Sequence, residues 1–260
     1  MDVLATAITE AFTKAGTDAT GSFRSQTNEE LLDSSSLRSD TVERSQTTLP
    51  GRILVALCGI PGAGKTTAAH RLAQIAVSAN IKAEQVIVVP MDGFHLTRAQ
   101  LDLLPDPIEA HRRRGAPFTF DAAGLLDLVR SVCAQTVESV WAPSFDHSVG
   151  DPIPASIEIK PSHRIIIFEG LYLQLNIPVW SDIYAMFDLT CFIDIPLDVA
   201  VKRVAARHVA CGLVSTLEEG MQRATMNDLA NAEFILSHSL RPQCTVSYLD
   251  LLDTPATMML

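Results

Sequence analysis

The stretch Arg52-Ile-Leu-Val-Ala-Leu-Cys-Gly-Ile-Pro-Gly-Ala-Gly-Lys-Thr-Thr67 constrains this chain more than any other, because an apolar run feeds directly into the pattern G-x-x-x-x-G-K-[ST]. Ile53 to Cys58 reads as a buried parallel strand, and Thr67 to Ser78 sets Ala68, Leu72, Ile75 and Ala76 at helical spacing. Strand, glycine-rich loop and helix in that order build a phosphate cradle. Gly59 and Gly64 permit the tight backbone path, and Gly62 keeps the wall low. The loop of Gly59, Ile60, Pro61, Gly62, Ala63, Gly64, Lys65, Thr66 and Thr67 can then turn successive backbone N–H groups toward the β-phosphate of a nucleotide. Lys65 brings a point charge for the β- and γ-phosphates, Thr66 offers a hydroxyl to Mg²⁺, and the positive end of the following helix faces the anion. The dinucleotide pattern G-x-G-x-x-G is absent, since Thr67 stands where its third glycine or alanine belongs.

The rest of the composition agrees with one such domain. The chain has 260 residues, 47% of them hydrophobic, enough for a substantial core in a single α/β domain with insertions. A formal charge of −10 argues against a nucleic-acid binder, which normally needs a basic face. The five cysteines are widely spaced with no C-x-x-C, so neither a disulfide framework nor a zinc site is indicated. No run reaches the roughly 18 apolar residues of a membrane span, and no cationic start precedes an apolar core as in a secretory signal. The expectation is a cytoplasmic protein with no membrane and no nucleic-acid partner. The sequence sets no oligomeric state.

In chain order, Asp2 to Lys14 places Val3, Leu4, Ala7, Ile8, Ala11 and Phe12 on one helical face, so residues 1–15 are expected as an amphipathic helix. Residues 16–50 turn to Ser, Thr, Asn, Asp and Glu, a composition that cannot offset ordering entropy and reads as a flexible segment. Residues 51–260 then form the main domain. Gln85 to Met91 reads as a second buried strand ending in Asp92-Gly-Phe-His95. Ligands of α/β sheets bind at the carboxyl ends of strands, so Asp92 is placed either to accept a proton from a substrate hydroxyl or to shape a turn.

Leu96 to Ala116 is polar and broken by prolines. Its run Arg112-Arg113-Arg114 is either a solvated face or a holder of an anionic acceptor or nucleotide. Asp121 caps a helix reaching about Thr136. Trp141 to His147, with Asp146 near its end, either lines an acceptor pocket or forms a loop beneath it. Arg164 to Gly170 is a third buried strand that presents Glu169 toward Mg²⁺ and its water. Leu189 to Ile195 is a fourth strand. Asp198 to His208 is a helix whose Arg203 and Arg207 share one face, as a lid over about residues 203–222 would need, and Gly212 stands as a candidate break. Thr216 to Ser237 reads as one further helix, and Thr245 to Leu251 as a fifth strand. Five strands with intervening helices predict a three-layer α/β/α fold around a parallel sheet.

Gly59 to Thr67, Met91-Asp-Gly-Phe-His95, Phe168-Glu-Gly170 and Arg203-x-x-x-Arg-His208, in this order, resemble the uridine kinase, phosphoribulokinase and pantothenate kinase superfamily of P-loop kinases. The resemblance spans about residues 51 to 251. Arg112 to Asp121, Pro143 to His147 and Asn227 to Ala232 are similar to a uridine-kinase-like subgroup from bacteria and fungi. It implies the P-loop NTPase fold with a helical lid, ATP and Mg²⁺ as cofactors, and phosphoryl transfer to a hydroxyl of a small-molecule acceptor. It also implies Asp92 as catalytic base, Lys65 on the phosphates, Arg203 and Arg207 as lid residues, and Thr66 with Glu169 near metal. His95, Arg114, Asp146 and His147 are the candidate acceptor contacts.

Two other classes use the same cradle. A regulatory GTPase would carry an N-K-x-D guanine reader, and none occurs; Asp121-Ala-Ala-Gly124 matches D-x-x-G only inside an expected helix. A P-loop ATPase or nucleotide-binding regulator without an acceptor differs from a kinase in releasing ADP without a second substrate.

Overall fold

The computed structural model describes residues 51–78, 81–134, 137–146 and 149–251. The helix expected in residues 1–15, the polar stretch 16–50 and His147 lie outside the described residues.

The elements run β1 (Ile53–Gly59), α1 (Lys65–Ser78), β2 (Val86–Pro90), the short α2 (Arg98–Leu101) and α3 (Pro107–Arg112), and α4 (Ala122–Cys133). A hairpin of β3 (Val140–Asp146) and β4 (Asp151–Ile159) follows, then β5 (Ile165–Gly170), α5 (Trp180–Tyr184), β6 (Leu189–Asp194) and α6 (Leu197–Ala210). The last elements are α7 (Leu217–Arg223), α8 (Leu229–His238) and β7 (Cys244–Ser247). Strands β2-β5-β1-β6-β7 form one sheet in which every pairing is parallel, as the sequence predicts.

Every residue of β1 and β5 is buried. Successive side chains of a strand point to opposite faces, so burial of all of them means that both faces of the sheet centre are covered. Truncating one of these side chains, Leu57 or Ile167 for example, would cost about 2–5 kcal/mol. Arg52 fastens the amino-terminal edge of the sheet. Its guanidinium donates to the carbonyls of Val132 (3.0 Å), Lys160 (3.1 Å) and His163 (3.2 Å), which satisfies a buried charge with three oxygens.

From β1 the chain crosses to one side for β2, returns in β5 against β1, and then passes to the other side for β6. The carboxyl end of β1 is therefore the switch point of the sheet, where a ligand crevice opens.

The differences from the sequence expectation lie at that end. The second strand stops at Pro90, because Met91–Phe94 closes a tight turn with the His95 N–H donating to the Asp92 carbonyl at 3.1 Å. The last strand is Cys244–Ser247, and the rest of the expected strand, Tyr248–Leu251, curls into a 3₁₀ turn. The helix expected from Thr216 to Ser237 starts at its Thr216 cap but widens into one π turn over Ala224–Asp228. The segment Leu96 to Ala116 carries α2, capped reciprocally by Thr97 and Gln100, and α3, capped by Asp106 with Pro107 behind it. Trp141 to Asp146 is a strand of an antiparallel hairpin. Prolines 143, 152 and 154 hide it in the sequence, but a two-stranded ribbon has unpaired outer edges that tolerate them.

Candidate active site

β1 ends at Gly59 and the loop closes on itself, with the Ala63 N–H donating to the Ile60 carbonyl at 3.1 Å. Gly62 (φ 82°) and Gly64 (φ 89°) both occupy the left-handed region that favours glycine. Gly62 is doubly required: a Cβ there would meet the Ala200 carbonyl oxygen at 2.4 Å, because α6 packs directly against the loop. The first bond back along α1 runs from the Ala68 N–H to the Gly64 carbonyl at 2.9 Å. The N–H groups of Lys65, Thr66 and Thr67 thus form the open first turn of a helix, a ready anion site.

Lys65 is half-buried and curls over the loop, donating to the Ile60 carbonyl at 3.2 Å. Burial pulls its pKa down, and the carboxylates Glu169 and Asp92 oppose that shift while Arg207 adds to it. Thr66 donates its hydroxyl to Glu169 Oε1 at 2.8 Å. Glu169 is buried, which raises its carboxyl pKa; Asp92 pushes it further up, while Lys65, the Thr66 hydroxyl and Arg207 act against the rise. Lys65, Glu169, Asp92 and Arg207, predicted from four separate segments, therefore lie in one electrostatic neighbourhood.

Sheet register explains the convergence. Glu169 lies opposite Leu57 of β1 on one side and Pro90 of β2 on the other, so its carboxylate stands between the loop and the Asp92 turn. That turn is fixed by backbone and neighbours. A Cβ on Gly93 would meet the Pro143 carbonyl oxygen at 2.1 Å, and a Cβ on Gly170 would meet the Met91 Cβ at 2.4 Å. The His95 Nδ1–H donates to the Asp92 carbonyl at 2.8 Å, and the ring packs between Phe120 (4.0 Å) and Phe145 (4.7 Å). Among the described residues the Asp92 carboxylate takes part in no hydrogen bond or ion pair.

The remaining predicted residues are placed as follows. Arg203 on α6 lies 3.5 Å from the Gly62 carbonyl and 5.3 Å over the Tyr248 ring, and Arg207, one turn further on, is exposed. Arg114 is tied up inside the protein: its Nη2 donates to Asp151 Oδ1 and to the Leu96 carbonyl, both at 3.0 Å, and the guanidinium sits 5.6 Å from the Phe145 ring centre. Asp146 is exposed at the hairpin turn, where its carbonyl accepts from the Gly150 N–H at 2.8 Å. Its strand packs on the Asp92 turn through Pro143 and Ser144, which lie against Gly93.

The chain has matches among known proteins. The Phosphoribulokinase / Uridine kinase family matches residues 54–211, more than half of the chain. The chain belongs to the phosphoribulokinase and uridine kinase family. As a member it is an ATP-dependent small-molecule kinase. It is 40% identical over 200 residues to a provisionally named uridine kinase of Schizosaccharomyces pombe, covering 77% of this chain and 85% of that one. It is 42% identical over 156 residues to an ATP-dependent kinase-like protein of Aspergillus versicolor, covering 59% and 91%. A crystal structure of a provisionally assigned fructose transport system kinase from a Silicibacter species superposes with a TM-score of 0.69 at 35% identity, covering 78% and 93%.

Tyr172 carries no mark in the sequence. Tyr172 is fully buried, donates its hydroxyl to the Gly115 carbonyl at 2.5 Å and packs edge-on against Phe120 and Trp180. Burial raises its pKa, with Arg113 opposing and Asp228 and Asp92 adding to the rise. Arg113 reaches Asn227 and Asn231 across the domain. The sequence marks the Arg112–Arg114 run and the Asn227–Ala232 stretch separately but not their contact; the two asparagines recur four apart, which sets them on one helical face.

Proposed function

We propose that this kinase transfers the γ-phosphoryl group of ATP to a hydroxyl of a small metabolite of nucleoside, sugar or pantothenate-like type, with Mg²⁺ as cofactor. The observation that carries the reading is the 2.8 Å pair of the Thr66 hydroxyl and the Glu169 carboxylate, with the charges of Lys65 and Asp92 both acting on that carboxylate. Hydroxyl and carboxylate oxygens are the hard donors that magnesium prefers, and it usually completes its shell with water and phosphate oxygens rather than a protein cage. Thr66 and Glu169 would hold the ion, which when bound neutralises charge between the β- and γ-phosphoryl oxygens.

The chain's own residues then divide the work. The loop N–H groups and the open turn of α1 hold the phosphates, and Lys65 leaves the Ile60 carbonyl to follow the γ-phosphoryl oxygens. Asp92 accepts the proton of the attacking hydroxyl at its carboxylate, which is unengaged by other described side chains. Arg207 and Arg203 bring positive charge from α6 over the transferring group. Among the described residues no helix is long and apolar enough to cross a membrane. We place the kinase in the cytoplasm, with a small-molecule acceptor and no nucleic-acid partner.

The test is a metabolite screen with ATP and Mg²⁺, reading phosphorylated product by mass and ADP release alongside. Product bearing one added phosphoryl group is expected. ADP release that no metabolite accelerates would leave a plain ATPase instead.

A further inference from the structure

The three consecutive arginines at the end of α3 meet three different environments. Arg112 forms a two-pronged pair with Glu109 at the surface, at 2.6 and 2.5 Å. Arg114 is neutralised by Asp151. Arg113 meets no carboxylate in ion-pair contact among the described residues. Its Nε donates to Asn227 Oδ1 at 3.1 Å and its Nη2 to Asn231 Oδ1 at 3.3 Å. The Asn227 amide nitrogen in turn donates to the Arg114 carbonyl at 3.1 Å, which fixes which end of that amide faces the guanidinium. Asn231 is only 2% exposed, so its side chain cannot swing away.

Neutral amides set the direction of a guanidinium without cancelling its charge. A half-buried arginine held this way carries a desolvation penalty that no ion pair offsets, and a planar two-pronged anion is the partner that would complete it. Its position fits an acceptor. The Asp121 N–H donates to the Phe94 carbonyl at 2.7 Å and the Leu96 N–H to the Thr119 carbonyl at 2.9 Å, joining the Asp92 turn to the 115–121 segment. Within that segment Thr119 Oγ1 donates to the Ala116 carbonyl at 2.7 Å and accepts from the Gly115 N–H at 2.9 Å. One rigid frame thus carries Asp92 at one end and Arg113 at the other. Tyr172, bonded to Gly115, lies within the field of both charges. The frame closes on the lid side at the π turn that supplies Asn227.

We propose that Arg113 binds a carboxylate or phosphate of the phosphoryl acceptor, so that the substrate is a hydroxyl-bearing anion rather than a neutral nucleoside or sugar. Asn227 and Asn231 are its positioning residues. The proposal rests on the kinase reading above.

Two arms test it on the full chain. In the first, acceptors are offered in pairs in which the anionic member carries a carboxylate or phosphate at one hydroxyl position of the neutral one and keeps the remaining hydroxyls: glycerol with glycerate, ribose with ribose 5-phosphate, and uridine with uridine 5′-monophosphate. The anionic member of the reactive pair should be preferred, and which pair reacts separates carboxylate from phosphate. Arg113→Gln should raise its KM roughly 10- to 100-fold, the value of a charged hydrogen bond, with kcat and the KM for ATP nearly unchanged. Arg113→Lys should recover part of the loss, and Arg112→Gln should match wild type. An equal or better neutral partner, or an unchanged KM in Arg113→Gln, overturns the proposal. The second arm needs no turnover: with the cradle filled by a non-hydrolysable ATP analogue and Mg²⁺, inorganic phosphate should raise the melting temperature of wild type but not of Arg113→Gln. No response in wild type, or equal responses, overturns the anion site. Absence of stabilisation by the ATP analogue itself would instead remove the kinase reading.

Discussion

Asp92→Asn separates chemistry from architecture at this site. An Asp-Gly pair at a strand end is ordinary turn chemistry, and a turn-forming carboxylate would show its loss in stability. Here the turn is held by the His95 N–H and Nδ1–H, both donating to the Asp92 backbone carbonyl at 3.1 and 2.8 Å, and by the contact of Gly93 with Pro143. The carboxylate contributes to none of these. Substitution by the isosteric amide should therefore change stability by less than about 0.5 kcal/mol, the range of replacements that remove no partner. A positioned general base supplies about 10²–10⁴ in rate, so the variant should lose roughly 3–5 kcal/mol of transition-state stabilisation. Binding of the ATP analogue should fall little, because the group faces the acceptor. Melting temperature, analogue affinity and acceptor-dependent phosphorylation measured on one preparation decide the matter. Wild-type turnover in Asp92→Asn would refute the base assignment, and a large drop in melting temperature would show that the carboxylate holds the turn after all.

Lys65→Ala should weaken nucleotide binding by roughly 10- to 100-fold, the range for hydrogen bonds to charged groups, while leaving a folded protein by circular dichroism; undiminished affinity in calorimetry would sink the cradle assignment. Arg207→Ala should lower kcat by up to ~10³-fold with little change in the KM for ATP, as expected of a charge acting on the transferring group. Arg203→Ala should also raise that KM, since Arg203 lies against the Gly62 carbonyl and Tyr248; equal kinetics of both variants and wild type would reduce the pair to surface residues. His163, remote from the site, gives a pH prediction. Burial and the neighbouring Lys160 and Arg52 lower its pKa below the usual 6.5 against the weaker pull of Glu158, and its Nδ1 accepts the Lys160 N–H at 2.9 Å. The unfolded chain then binds the proton more readily, so stability is lost as pH falls below about 6.5, and His163→Asn should flatten that slope in thermal melts without altering activity.

The sequence determined the sheet and the cradle because both depend on local pattern. The apolar runs Ile53–Cys58 of β1 and Ile165–Phe168 of β5 leave no face for solvent, and Gly62, Gly64, Lys65 and Thr66 act through backbone conformation and chemistry encoded within a few positions. Asp92 and Glu169 were legible as strand-end acids because a parallel sheet always opens its carboxyl edge to ligand. What the sequence could not give were quantities set by contacts between distant segments. Prolines masked the β3–β4 hairpin, whose existence rests on cross-strand pairing. The π turn at Ala224–Asp228 has no local signature, since one additional residue in a helical turn is settled by what the helix packs against. The three arginines of the 112–114 run are chemically identical in the sequence. Glu109, one helical turn before the first, is its local partner, but only the fold assigns Asp151 to the third and two neutral amides, 114 and 118 residues further along the chain, to the second. Charge can be counted from composition, but whether it is neutralised is decided by which side chains the tertiary structure brings within about 3 Å, the distance at which a hydrogen bond or ion pair forms.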